Sequence, residues 1–166
     1  MIQHLQRMST EYIVGEDRIR LSGEVENAAS VVIWLTRRLL ERLLPAVLNW
    51  LEGQGVDTPY SEIMHSFAQQ AARAELTSQT PVLAVAASSV WLAQSVELGH
   101  SEQTLTLTFR GAEGQHATLV PGSKQLLQWL SIVFDVCQKA EWSLDQWPAW
   151  LRENGLPDKQ KAVMLH

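Results

Sequence analysis

The segment Thr104-Leu-Thr-Leu-Thr-Phe109 alternates polar and apolar residues without a break. Successive side chains of a strand point to opposite faces, so Leu105, Leu107 and Phe109 must share one face and bury together. Such a strand needs neighbours to pair with and a layer to cover its apolar side. The flanking sequence supplies both. Gly99-His-Ser-Glu-Gln103 and Gly111-Ala-Glu-Gly114 read as turns, Val90–Leu98 as one preceding strand, and His116–Val120 as the returning one. Pro121-Gly122-Ser123 then opens a helix with Leu126, Leu127, Leu130, Val133, Phe134 and Cys137 at helical spacing.

The same order occurs earlier in the chain. From Glu11 to Leu35 the pattern is a hairpin: Arg18–Ser22 alternates, Gly23–Ser30 is a polar loop, and Val31-Val-Ile-Trp-Leu35 is a β-branched and aromatic run expected to be buried on both faces. Thr36 is the expected N-cap of a helix to Glu52, which aligns Leu40, Leu43, Leu44, Val47, Leu48 and Leu51 before Gly53 and Gly55 stop it. Pro45 inside it leaves the carbonyl of Glu41 without its donor and predicts a bend near Leu44. Asp57-Thr58-Pro59 starts a second helix over 60–76. There Ile63, Phe67 and Ala71 share one face with Met64 and Ala68 beside it, while Glu62, Gln69, Gln70 and Arg73 point outward.

The fold class that follows is α+β, antiparallel hairpins packed against helices, in a single domain over 1–155 with 156–166 as a loosely held tail. Thr77–Pro81 is the natural boundary if two ββα halves, 11–76 and 82–155, make up that domain. Leu39, Leu40, Leu43 and Val47 match Leu126, Leu127, Leu130 and Phe134 at a displacement of 87. Leucines at helical spacing match each other easily, so the shared order of elements carries the suggestion of a repeat. Chance recurrence of a common motif is the alternative.

Composition narrows the class of function. The 166 residues are 46% hydrophobic and 19% charged, which suits a globular rather than a disordered chain. No apolar run approaches the roughly 18 residues of a bilayer span, and Met1–Arg7 lacks the apolar stretch of a secretory signal. A lone Cys137 excludes an internal disulfide and sets a cytoplasmic location as the expectation. A net charge of −5 argues against general nucleic-acid binding, though not against a local basic patch.

Residues that could carry chemistry are scattered. The five histidines lack metal-ligand spacing to one another or to Cys137, and neither a Gly-x-Ser-x-Gly elbow nor a glycine-rich phosphate loop is present. No metal or cofactor is therefore expected. Cys137 lies on the apolar side of its helix and reads as inert. Pro121–Lys124 leads a strand into a helix N-terminus, so a small enzyme or phosphate-ligand protein using it with His116 or His100 is one reading. Nucleic-acid binding through Arg18, Arg20, Arg37, Arg38 and Arg42 is another, opposed by the acidic balance elsewhere.

Two features favour a third reading. Arg38 and Arg42 form a like-charged i,i+4 pair in the first turns of a helix, where the macrodipole also disfavours cations. Either acids of the neighbouring hairpin neutralise them or they face an acidic partner surface or a phosphate. Seven tryptophans are unevenly spread: Trp34, Trp50 and Trp91 read as core, whereas Trp129, Trp142, Trp147 and Trp150 crowd the last quarter. A short helix from a Ser143 cap to about Glu153 would stripe Leu144, Trp147, Trp150 and Leu151. Part of that stripe is expected to pack on the helix Ser123–Lys139, and the remainder to stay accessible until covered by a partner or a second copy. The resulting expectation is a non-enzymatic protein-interaction or assembly subunit, without membrane contact, that uses Trp147, Trp150, Leu151, Arg38 and Arg42 as contact residues.

Overall fold

The computed structural model describes residues 3–26, 29–53, 61–75 and 89–155. The chain runs β1 (Gln3–His4), β2 (Arg7–Ile13), β3 (Arg18–Glu24), β4 (Ser30–Leu35), α1 (Arg37–Gly53) and α2 (Ser61–Ala74). It continues with β5 (Ser89–Leu92), β6 (Ser95–His100), β7 (Leu105–Arg110), β8 (His116–Leu119), α3 (Ser123–Lys139) and α4 (Ala149–Gly155). The α+β reading holds. The expected linker 77–81, the Asp57–Pro59 helix start and the tail 156–166 lie outside the described residues.

Two four-stranded sheets form, in the orders β2-β3-β4-β5 and β1-β8-β7-β6. Hairpin pairings are antiparallel, while β4 with β5 and β1 with β8 are parallel. The sheets are joined twice by single strands that leave one and enter the other. At the first crossing the Leu5 amide donates to the Thr118 carbonyl of β8, and the next amide, Gln6, donates to Glu24 of β3. At the second, Ala93 donates to Trp34 of β4 and Gln94 to Arg110 of β7. The pairings therefore close into a circuit of six strand lines, two of them kinked.

Each kink has the two-against-one arrangement of a β-bulge. Gln6 and Arg7 both stand opposite Glu24, and Gln94 and Ser95 both stand opposite Arg110. An extra residue shifts the side-chain phase by one. Before the second crossing Trp91 and Ala93 are buried and Val90 is 58% exposed; after it, Val96 and Leu98 pack on the core. Before the first crossing Leu5 is buried, and after it Met8 and Tyr12 face inward. This corrects the single strand expected at Val90–Leu98, which is two strands with opposite phase. Glycine makes room at both places: a Cβ on Gly23 would collide with the Leu5 side chain, and one on Gly111 would lie 2.9 Å from Trp91 Cε3.

The order of elements and their pairing recur in the two halves, and the buried faces of the long helices superpose in register. Leu40, Leu43, Leu44, Val47, Leu48 and Leu51 of α1 fall on Leu126, Trp129, Leu130, Val133, Phe134 and Cys137 of α3, all buried. The displacement is thus 86, one less than the leucine match gave, because Leu39 is only half-buried whereas Leu126 is fully enclosed. All of these side chains join one hydrophobic cluster with β3, β4, β7 and the crossing residues. The run Val31–Leu35 is buried except for half-exposed Trp34, as a strand covered on both faces requires.

Thr36 Oγ1 accepts the Leu39 amide at 3.2 Å, which confirms the expected cap. The helix runs through Pro45, and the Glu41 carbonyl that proline leaves without a donor accepts Gln146 Nε2 at 3.1 Å. In α2 the expected faces are partly exchanged near its end: Ala68 and Ala71 are exposed and Gln69 is buried, with Ala72 also buried, while Gln70 is exposed as expected. The side chains of the helix's first turns lie outside the described set.

Leu105, Leu107 and Phe109 are essentially inaccessible, and Thr106 is half-exposed between them. Leu107→Ala should therefore cost about 2–5 kcal/mol by urea denaturation, and Thr106→Ala clearly less. Equal small losses would contradict the register.

Candidate functional site

The tryptophan stripe does not lie open. Trp147 is 2% exposed, Trp150 4% and Leu151 0%, with Leu144 half-buried against the core, so neither tryptophan of that stripe awaits a partner for cover. The reason is local. The last helix starts only at Ala149, not at Ser143, whose hydroxyl instead holds the Asp145 amide in a tight turn at 3.3 Å. Trp147 thus precedes the helix, its amide donates to Leu144, and its ring meets Phe134 of α3 edge-on at 5.3 Å. Further on, α4 packs against α2 and α3.

The other two late tryptophans fasten α3 and the segment after it to the first hairpin. Trp129 Nε1 donates to Thr10 Oγ1 at 3.1 Å, which places α3 on the outer edge of β2. Trp142 Nε1 donates to Asp17 Oδ1 at 3.2 Å, and the same oxygen accepts the Tyr12 hydroxyl at 2.7 Å. Tyr12 and Trp142 stack edge-to-face at 5.7 Å. Asp17 and Glu141 both have positive φ, 51° and 60°, so both ends of this clasp sit in tight turns. The hydrogen bonds from Tyr12 and Trp142, with Arg37 nearby, hold the Asp17 carboxyl below its ordinary value, and Asp17 in turn raises the Tyr12 phenol.

The residues of the phosphate-ligand reading are separately engaged. Lys124 Nζ pairs with Glu75 at 2.8 Å, and the Gly122 amide at the start of α3 is taken by Gln125 Oε1 at 3.1 Å. His116 contacts Arg110, which itself pairs with Glu97, and His100 is exposed at the end of β6. Burial, with a smaller contribution from Glu41, pushes the Cys137 thiol up to about 12, so it stays protonated and unreactive. Among the described residues no group of His, Cys, Asp and Glu is arranged to hold a metal, and no helix is long and apolar enough to cross a membrane.

The arginine patch of the nucleic-acid reading divides. Arg18 lies 4.0 Å from Glu16 and Arg20 pairs with Glu11 at 3.3 Å, which neutralises the β3 part. Arg37, Arg38 and Arg42 are exposed on α1. Arg37 acts on Asp17 through space, whereas Arg38 and Arg42 form no ion pair among the described residues. Pairing with hairpin acids, the first of the two expectations for them, is therefore not what the fold does.

A polar seam elsewhere was not legible from sequence. α2 lies on α3 through Lys124–Glu75, through Gln128 Nε2 donating to the Ala72 carbonyl at 3.0 Å, and through Arg73–Asp135 at 3.0 Å. Gln69 is fully buried there with neither amide atom hydrogen-bonded, and Asp135 Oδ1 is buried and unbonded as well. The three-to-four-residue recurrence of Lys124, Gln128, Ser131 and Asp135 was the available signal.

Comparison with protein families, curated proteins and solved structures finds no match to this chain.

Two outcomes follow. Trp147→Ala should lower stability by about 3–5 kcal/mol in chemical denaturation, as a core aromatic does. For Asp17, the folded carboxyl titrates below the unfolded one, so its contribution is present above the unfolded value of about 3.9 and is lost as pH falls through the folded value. Asp17→Asn should melt below the wild type at neutral pH, with the gap closing on acidification past that window; a pH-independent gap in melting curves would contradict this.

Proposed function

We propose that the chain is a non-enzymatic protein-binding or assembly subunit whose contact surface is the outer face of α1, centred on Arg38 and Arg42. One observation carries this reading. Both guanidinium groups are exposed on adjacent turns with no ion pair among the described residues, whereas Arg7, Arg18, Arg20, Arg73 and Arg110 are all paired. Two like charges one turn apart at the positive end of a helix are mildly unfavourable in the free chain. An acidic surface brought to them would relieve that repulsion and steer the encounter. The chain's own net charge of −5 makes a local cationic face stand out against its surroundings.

The tryptophans support this surface indirectly. They hold α3 and the segment after it to the first hairpin, and so form part of a rigid body rather than a hot spot. The roles first read for Trp147, Trp150 and Leu151 as contact residues are accordingly not part of the proposal.

The test is charge reversal. The variant Arg38→Glu/Arg42→Glu should lose partners retained by the wild type in affinity capture with identification by mass spectrometry, and its melting temperature should stay within a few degrees because exposed charges contribute little. Capture should also weaken as salt rises, since the Debye length is about 8 Å at physiological ionic strength. Unchanged capture by the variant would overturn the reading.

A further inference from the structure

α1 and α3 occupy equivalent places, yet among the described residues only α3 wears an outer layer. The stripe of α3 under α2 is Lys124, Gln128, Ser131 and Asp135, with Ser131 wholly buried and the other three bonded to Glu75, Ala72 and Arg73. The displacement that superposes the buried faces of the two helices carries this stripe onto Arg38, Arg42, Pro45 and Asn49 of α1. All four are exposed, and among the described residues nothing lies bonded to their side chains. The flanks differ in the same sense: Leu127 and Val136 of α3 are buried, while their counterparts Glu41 and Trp50 are only half-buried. In element order α4 is the counterpart of α2, but it is half as long and packs on α2 and α3. Among the described residues, one of two equivalent helix-docking faces is thus filled within the chain and the other is left open.

We infer that the outer stripe of α1 receives one helix from a protein partner, bearing carboxylates about one turn apart that meet Arg38 and Arg42. This rests on the protein-binding reading above. The filled face supplies the template: the cation at its first position, Lys124, takes the carboxylate of Glu75, the residue that directly follows the docked helix. Arg38 stands in that position on α1. Arg42 replaces Gln128, a donor satisfied by a backbone carbonyl, with a charged donor that needs a carboxylate. From residue 38 to residue 49 the stripe spans about 17 Å, the length of three helical turns. Pro45 and Asn49 leave a shallow surface beyond the arginines, and half-buried Trp50 on the flank offers an apolar anchor. A second copy docking by the same stripe would bring a second Arg38–Arg42 pair and no carboxylate of the stripe to the seam, which like-charge repulsion opposes.

The experiment places a photo-crosslinking amino acid, p-benzoylphenylalanine, at Asn49 of the full chain, with Glu113 on the β7–β8 turn as the control site. It is activated in cells, and the crosslinked peptides are mapped. The expected product joins position 49, not 113, to a segment of another protein with acidic residues three or four apart and helical spacing of its apolar residues. Adding Arg38→Glu/Arg42→Glu should cut its yield at least tenfold. A synthetic peptide of the mapped segment should gain helical circular dichroism on mixing with the wild-type chain and none with the variant. Crosslinks from position 49 only to this chain, to a second copy, or to a segment that stays unordered in the mixture overturn the inference, as does the absence of any crosslink. If partners are still captured in an arginine-dependent way in those cases, the protein-binding reading stands and only the helix assignment falls. If capture does not depend on the arginines, both fall.

Discussion

A strand that passes from one sheet into another has to change the face it offers the core, and both sheets of this protein depend on two such passages. Side chains alternate with a strict period of two, so a continuous strand would carry its apolar set to the solvent side on entering the second sheet. One extra residue at Gln6–Arg7 and one at Gln94–Ser95 correct the phase, and successive amides bond first to one sheet and then to the other. Leu5, Trp91 and Ala93 can then share a core with Met8, Val96 and Leu98. The same passages leave few free sheet edges. The outer edge of β2 is taken by α3 through Trp129, and α1 approaches the corresponding edge of β6.

Regular periodicity made much of this legible and its interruption made the rest illegible. β7, β4, α1 and α3 each hold one period throughout, and their buried residues could be named from sequence. The strand β2 reads Arg-Met-Ser-Thr-Glu-Tyr-Ile, in which a threonine occupies the inward phase between Met8 and Tyr12, so the alternation is diluted. A bulge is a slip of one residue, and no residue type marks it at Gln94. In α2 the partial exchange of faces has a tertiary cause. The helix meets the polar stripe of α3, which draws Gln69 and Ala72 inward and leaves Ala68 and Ala71 in solvent.

The candidate surface shows the same division. Sequence singled out Arg38 and Arg42 because their position on a helix is electrostatically awkward, and that argument is local, so it survived folding. The tryptophans were misjudged because a stripe of aromatic residues says that burial must occur and not against what. The six residues from Ser143 to Pro148 form no helix, which moves Trp147 onto Phe134 and encloses Trp147, Trp150 and Leu151. The leucine match between α1 and α3 is off by one residue, so it carries Lys124 and Gln128 onto Arg37 and Glu41, and the equivalence of the outer faces shows only in the burial of the folded helices.

The isolated thiol gives the core a clock. Cys137 sits on the inner face of α3, 2% exposed, with its ionisation suppressed by burial. A thiol reagent can reach it only when α3 lifts from the strands, because the thiolate is the reacting form and the closed state supplies almost none. Labelling therefore proceeds at the intrinsic thiol rate multiplied by the fraction of molecules in which that helix is open. Since Cys137 is the only cysteine in the chain, a single mass increment reports this opening without mutation or spectroscopic label. Any ligand that tightens the helical layer around α3 would be visible as a slower increment.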